Sequence, residues 1–321
     1  MRIFYPCYDD QKPTGGQKHT YQHVDILNEH GLDAFVVHTA PGFRLTWFEN
    51  RTRVVSHAEF EAIHDPRGDY VVLPETMGST MLRYPGRKVI FNKNLFQGFL
   101  AFNHDLAPGD PYHHPEVVAA LTVSEHNAAH LRFAYPSLPV WRVYSGIDTR
   151  RFAFHSIRGK KKQIVTPNKT LAHVATLFHL LRARADAGLN ALAGYSWVVL
   201  KGQSEEEIAA MLRESLIFVF FSIDEGLSRV LLEAMACGCL IVTHWEGPSA
   251  ECLPEQVAAA SYGDLITAAR HIEAIARTFE TDPASLDARS AAGRSMAERF
   301  SLERQAVSVM DAWQQILRSG G

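Results

Sequence analysis

The sequence predicts an α/β protein built from two doubly wound domains. Three observations carry that reading: a length of 321 residues, apolar strand-like runs alternating with amphipathic helical ones, and a rhythm that pauses near residue 150 and then restarts. Hydrophobic residues make up 46% of the chain and charged residues 21%, enough apolar material for two cores and too much for a disordered chain. Thirty-two basic against 35 acidic side chains leave a formal charge of -3, so no nucleic-acid partner is expected and any anion site must be local.

In the first half, Arg2 to Pro6 reads as a strand and Asp9 to Gly16 as a loop of Asp, Pro and Gly. Tyr21, Val24, Ile26, Leu27 and His30 follow at helical spacing, with Gly31 placed to end that helix. Ala34 to His38, Tyr70 to Leu73, Lys88 to Phe91 and Leu121 to Ser124 read as further buried parallel strands. Between Arg150 and Lys162, six cations occupy thirteen positions, which reads as an exposed linker; a patch for anionic lipid or an anionic acceptor is the second reading, and with it peripheral membrane contact.

After the linker, Gln163 to Thr166, Ser196 to Leu200, Leu216 to Phe221 and Leu240 to Thr243 read as strands. Leu171 to Ala185, Glu205 to Arg213 and Ser228 to Cys237 read as helices, with Ser204 capping the second and Gly238 closing the third. From Asp264 to Leu317 the pattern is entirely helical. The domains expected are therefore 1–150, 151–300 and a C-terminal helical segment over 301–321.

The longest uninterrupted apolar run, Leu216 to Phe221, is far short of the roughly 20 residues a membrane span needs. The amino terminus has no basic region followed by an apolar run, so no secretory signal is expected. Cys7, Cys237, Cys239 and Cys252 are scattered, which suits a reducing cytoplasm; the one-residue spacing of Cys237 and Cys239 is poor geometry for zinc or a redox pair. His104, Asp105, His113, His114 and Glu116 cluster locally at no standard zinc spacing, so no metal is expected, and Pro108 to Pro115 reads as a loop over the site's mouth.

Ligands of open α/β sheets sit outside the carboxyl ends of the strands, so the loops there are the ones to inspect. Gly15 and Gly16 follow the first strand and let backbone approach a ligand closely, with Lys18 nearby to add charge; a plain turn would look the same. The pattern is neither G-x-G-x-x-G nor G-x-x-x-x-G-K-[ST], which argues against dinucleotide oxidoreductases and P-loop NTPases. Lys169 follows the first strand of the second half, where a cation can neutralise a diphosphate or simply be solvated. Glu225 and Glu233 lie eight positions apart, on nearly one face if the helix begins early, and Glu233 is set among Val230, Leu231, Leu232, Ala234 and Met235. A carboxylate in such a setting costs several kcal/mol, about 1–3 at least, unless it binds something; a surface ion pair is the plainer account of the spacing.

The stretch EGLSRVLLEAMACGCLIV, with Glu225 and Glu233 at E-x7-E spacing, resembles the donor-site signature of retaining GT-B glycosyltransferases, particularly glycosyltransferase family 4. Gly15-Gly16, Val123-Ser124-Glu125-His126 and Ser145-Gly146-Ile147-Asp148 to Phe152 resemble further parts of that family's pattern. The resemblance implies two Rossmann-like domains facing a cleft, with the C-terminal helix from Leu302 returning to the first. It also implies sugar transfer from a nucleotide-diphosphate sugar to a glycan, lipid-linked or small-molecule acceptor, with retention of configuration and without metal or cofactor. By the same resemblance Glu225 serves the donor sugar, Glu233 the ribose hydroxyls, the amides of Gly226, Leu227, Ser228 and Arg229 the diphosphate, Lys169 its charge, and Gly15 and Gly16 approach from the first domain. Three departures stand out: Leu227-Ser228-Arg229-Val230 replaces Phe-Gly-Leu-Pro, only Lys169 remains of two cations, and Phe91-Asn92-Lys93-Asn94 stands where a histidine is common. The alternatives are an epimerase or hydrolase of nucleotide sugars on the same fold, which would give product without an acceptor, and a non-catalytic nucleotide-sugar binding protein.

Overall fold

The computed structural model describes residues 1–101 and 110–319 and contains two parallel sheets in two compact units. The first unit takes in Met1–Ser145, Asp224–Leu227 and the C-terminal helix from Glu303; the second takes in Gly146–Ile223 and Ser228–Leu302.

The first sheet has seven strands: β1 (Arg2–Pro6), β2 (Asp33–His38), β3 (Val54–Ser56), β4 (Tyr70–Pro74), β5 (Arg87–Asn92), β6 (Val117–Thr122) and β7 (Val140–Arg142). They lie side by side in the order β3-β2-β1-β4-β5-β6-β7, every pair parallel. The doubly wound arrangement places the segments after β1, β4 and β5 next to one another at the carboxyl edge. The strands read from the sequence are present, with one shift. β6 begins at Val117 and stops at Thr122, because Ser124 is taken as the cap of the helix Glu125–Ala134, where its hydroxyl accepts from the Asn127 amide at 3.2 Å.

The second sheet has β8 (Lys161–Pro167), β9 (Ser196–Leu200), β10 (Ser215–Val219), β11 (Leu240–His244) and β12 (Ala258–Ala260), in the order β12-β11-β10-β8-β9, again all parallel. The core of this unit is Ile164, Leu216, Ile217, Val219 and Val242, packed against Leu177 and Ile272 from helices Leu171–Asp186 and Leu265–Thr281. Three short strands, β3, β7 and β12, are absent from the sequence reading; each has three residues and forms a sheet edge, too short for periodicity to register. The stretch from Asp264, read as helical throughout, holds three α-helices: Leu265–Thr281, Asp287–Glu298 and Leu302–Ser319.

In the basic stretch over 150–162, Lys160 departs from the exposed linker expected. Lys160 is buried, and its Nζ donates to the carbonyls of Leu212 at 3.1 Å and Cys237 at 2.6 Å, satisfying the ends of helices Glu205–Glu214 and Arg229–Ala236. Arg151 pairs with Glu205, Lys161 with Glu214 at 2.6 Å, Lys162 with Glu280 at 2.6 Å, and Lys161 and Lys162 already belong to β8. Arg150, Arg158, Lys161 and Lys162 are exposed as a solvated connector requires, and carboxylates brought in from distant sequence pair with Arg151, Lys161 and Lys162.

The helix Leu302–Ser319 belongs with the first unit. Trp313 is fully buried there, its Nε1 donating to the Tyr5 hydroxyl at 3.2 Å and its ring edge-on to Tyr70 at 5.6 Å. Trp313→Ala is expected to cost about 3–5 kcal/mol, measured by urea unfolding; a loss under about 1 kcal/mol would show that the helix is not anchored through this ring.

Beneath helix Gly15–Glu29, His23 stacks on Phe91 at 4.5 Å and is wholly buried, which pushes its pKa down to about 3, with the Lys93 charge adding to the effect. In the unfolded chain it takes up a proton near pH 6.5, and the folded state refuses that proton until about pH 3. Stability is therefore whole above pH 6.5 and falls below it, by up to about 1.4 kcal/mol per pH unit from this group. His23→Phe should flatten the acid limb of stability against pH; a limb with the wild-type slope would refute the assignment.

Candidate functional site

Gly15 and Gly16 are not loop residues but the first two residues of helix Gly15–Glu29, capped by Thr14, whose hydroxyl accepts from the Gln17 amide at 3.3 Å. The cap takes the third helical amide, so the Gly15 and Gly16 amides remain among the orphan donors of the first turn. Gln17 secures the approach: its Nε2 donates to the carbonyls of Tyr8 at 3.2 Å and Asp10 at 2.9 Å. Lys18, read as the cation beside these glycines, instead carries its Nζ over the Phe48 ring at 5.5 Å. The cation that does lie at the glycines is Lys93, whose Cε stands 3.3 Å from where a Cβ of Gly16 would be.

Lys93 directly follows β5, and Glu75 directly follows β4. Glu75 is buried, accepts from the Asn94 amide at 2.8 Å through Oε1, and faces Lys93 Nζ at 3.6 Å through Oε2. Burial raises its pKa, an effect opposed by the Lys93 charge and by backbone hydrogen bonds. Asn94 in turn donates from Nδ2 to the Asp224 carbonyl at 3.0 Å. Gly226 completes this group: a Cβ there would fall 1.6 Å from the Lys93 carbonyl oxygen, so no side chain fits. Glu75, Lys93 and Asn94 are the residues missed by motif reading, since their contacts to Gly16 and Asp224–Gly226 come from strand order and not from spacing.

In the second unit, the helix Arg229–Ala236 begins after Ser228, so Glu225 lies outside it and the expected shared helical face with Glu233 does not form. Glu233 is buried within the helix, and Arg229 points one turn down to it, Nε to Oε1 at 4.0 Å, rather than simply lining a pocket. Ser228 is buried and its amide donates to the Ser249 hydroxyl at 3.3 Å, while its own hydroxyl makes no hydrogen bond among the described residues and does not cap the helix. Ser249 comes from the turn Pro248–Cys252 after β11 and is another residue that the motif did not identify. Lys169, in the turn Asn168–Thr170 after β8, is exposed with its Nζ over the Phe220 ring at 5.3 Å. Glu225 is half-buried and Leu227 buried.

Gly15, Gly16, Glu225, Gly226 and Leu227 thus belong to the first unit, and Lys169, Ser228, Arg229 and Glu233 to the second. The Cys237 and Cys239 thiols are buried and their pKa values raised by that burial, which leaves them poor nucleophiles and ligands. Among the described residues no three His, Cys, Asp or Glu side chains are placed to hold a metal ion. His104 and Asp105, with the start of the segment read as a loop over the mouth, lie outside the described residues. Among the described residues no helix is long and apolar enough to cross a membrane.

Residues 189–292, which hold Glu225, Glu233 and the helix between Arg229 and Ala236, match the family model described as glycosyl transferases group 1. No curated protein sequence matches the chain. Solved structures with the same fold include sucrose-phosphate synthase from Thermosynechococcus elongatus, 14% identical with a TM-score of 0.70, covering 99% of each chain. A glycosyltransferase from Rickettsia africae is 12% identical with a TM-score of 0.65 over 98% of each chain. The Anabaena protein HepE, in complex with UDP and glucose, is 14% identical with a TM-score of 0.63 over 98% of this chain and 100% of that one. At these identities the likeness is one of fold, the two parallel-sheet α/β architecture of GT-B glycosyltransferases.

Gly226→Ala is expected to lower stability by about 1–3 kcal/mol, because the added methyl must displace the Lys93 carbonyl or the 224–227 segment. Urea unfolding measures it, and a neutral substitution would show that the close approach is not maintained in solution.

Proposed function

We propose that this protein is a glycosyltransferase that moves a sugar from a nucleotide-diphosphate sugar to an acceptor hydroxyl with retention of anomeric configuration, without a metal or cofactor. One observation carries the reading: within the stretch matching the glycosyl transferases group 1 model, the Glu225-Gly226 turn follows a buried parallel strand and leads into a helix that holds a buried Glu233 and whose amino terminus is uncapped by a side chain. Backbone amides at a helix start favour a phosphate through both hydrogen bonding and the helix dipole.

In this reading the diphosphate rests on the amides leading into helix Arg229–Ala236, with the buried Ser228 hydroxyl and the cations Lys169 and Arg229 as charge and hydrogen-bond partners. Glu233, buried beside Arg229 with Nε to Oε1 at 4.0 Å, accepts from the ribose hydroxyls. Glu225, three residues before the helix cap, serves the hydroxyls of the sugar. As the glycosidic bond to phosphate breaks, negative charge grows on the leaving nucleotide, and preorganised amides and cations stabilise it. A phosphate oxygen then accepts the acceptor's proton on the face where the new bond forms, which keeps the configuration. The acceptor can be a glycan, a lipid-linked sugar or a small molecule. The solved neighbours that carry UDP with a sugar, HepE with glucose and the pneumococcal O-GlcNAc transferase GtfA with GlcNAc, support a nucleotide-sugar donor.

The cations over 150–162 do not enter this proposal, because Lys160 is buried and Arg151, Lys161 and Lys162 are paired with carboxylates.

The test is binding and turnover of a panel of nucleotide sugars by the wild type and by Glu225→Ala and Glu233→Ala. Glu233→Ala should weaken nucleotide binding about tenfold or more, and Glu225→Ala should mainly lower turnover. Wild-type affinity and rate in both variants would sink the assignment.

A further inference from the structure

We propose that Lys93 is the anion-binding cation of the first unit, and that Glu75 is the carboxylate that positions it and tempers its charge. The inference rests on the transferase reading above and extends it to two residues outside the motif. Lys93 stands at a convergence within that unit. Its side chain lies against Gly16 at the amino terminus of the 15-residue helix Gly15–Glu29, and its carbonyl lies against Gly226. Its next neighbour, Asn94, donates to the Asp224 carbonyl at 3.0 Å. One short segment after β5 therefore touches both the glycine helix start and the residues flanking Glu225.

The ion pair has an unusual form. A structural pair would be expected to close to direct contact with hydrogen bonds on both oxygens. Here Lys93 Nζ stays 3.6 Å from Glu75 Oε2, and that buried oxygen makes no hydrogen bond among the described residues. Glu75 Oε1 is committed to the Asn94 amide, which fixes the carboxylate and leaves Lys93 to be drawn toward it by charge alone. The ammonium also rests over the Phe91 ring at 4.5 Å, so its stem is held while its donors are not saturated by the carboxylate. Gly98 contributes room: a Cβ there would sit 3.1 Å from Glu75 Cβ, so the carboxylate's place depends on that glycine as well. A second anion arriving at the Gly15 and Gly16 amides would meet Lys93 with donors available and with Glu75 behind it.

The ligand class is an oxyanion of the phosphate type. Two sources share that chemistry, the diphosphate of the donor and a phosphate on an anionic acceptor, and binding assays with UDP, ADP and GDP on one side and glucose 6-phosphate on the other separate them. Each is titrated calorimetrically against wild type, Lys93→Met, Lys93→Arg and Glu75→Gln, with uridine, adenosine and guanosine as uncharged controls.

Lys93→Met should weaken whichever phosphate probe uses the site about tenfold or more while leaving the uncharged nucleosides within about twofold, and Lys93→Arg should restore most of the loss. Glu75→Gln keeps an acceptor for the Asn94 amide and removes the competing charge, so it should tighten the same probe a few-fold. That opposite sign is one a purely structural pair would not produce, since a structural pair loses in both variants. Wild type that binds a nucleoside diphosphate while Lys93→Met binds every phosphate probe equally well overturns the role of Lys93 and leaves the transferase reading standing. Wild type that binds no phosphate probe overturns both. Melting curves with and without probe accompany each variant, and if Lys93→Met does not fold, the comparison of Lys93→Arg with Glu75→Gln decides by the sign of the change in Glu75→Gln.

Discussion

Gly226 has no room for a side chain because the Lys93 carbonyl occupies the place a Cβ would take. That single close approach constrains much of what surrounds it. It requires glycine after Glu225, and it ties the position of the Glu225 turn to the end of β5. Because Asn94 donates to the Asp224 carbonyl and receives the Glu75 carboxylate on its own amide, the tie runs on to the end of β4. β4 and β5 are central strands of the first sheet, each parallel-paired on both sides, so the turn is referenced to a rigid part of the fold. In the proposed donor-sugar role, Glu225 would gain more from such fixed support than from a mobile loop, since misplacement by about 1 Å can cost two orders of magnitude in rate.

Much of the architecture was legible in the sequence because buried parallel strands leave near-continuous apolar runs, as in β1, β2, β4, β5, β10 and β11. What escaped were features without a local signature. Three-residue edge strands such as Ala258–Ala260 carry no period. Arg151, Lys161 and Lys162 find Glu205, Glu214 and Glu280 only after folding, and the burial of Lys160 cannot be read from a run of like charges.

The same distinction separates the parts of the candidate site. Glu225, Gly226, Ser228 and Glu233 stand in one contiguous motif and could be named from it, whereas Glu75, Lys93 and Ser249 come from three separate post-strand segments. One inference from spacing failed for a definite reason. Two acids eight apart share a helix face only if both are helical, and Ser228, whose backbone is extended, stops the helix short of Glu225. The roles of the two carboxylates therefore need not be coupled through one helix.

The formal charge of -3 means that any anion site must be local, and in each unit the cations in question are held by individual neighbours. Lys18 lies over Phe48, Lys93 over Phe91 and Lys169 over Phe220, and Arg229 faces Glu233. A lysine free in solution loses up to about 2 kcal/mol of rotamer entropy when a ligand immobilises it. A ring or carboxylate that already restrains the side chain moves much of that cost from binding to folding, where it is offset by burial of the stem and by the attraction of cation for ring face, about 0.5–1 kcal/mol at exposed positions. Under the proposed function, aromatic support beneath Lys93 and Lys169 would hold short-range charge for a phosphate group in place of a large net charge.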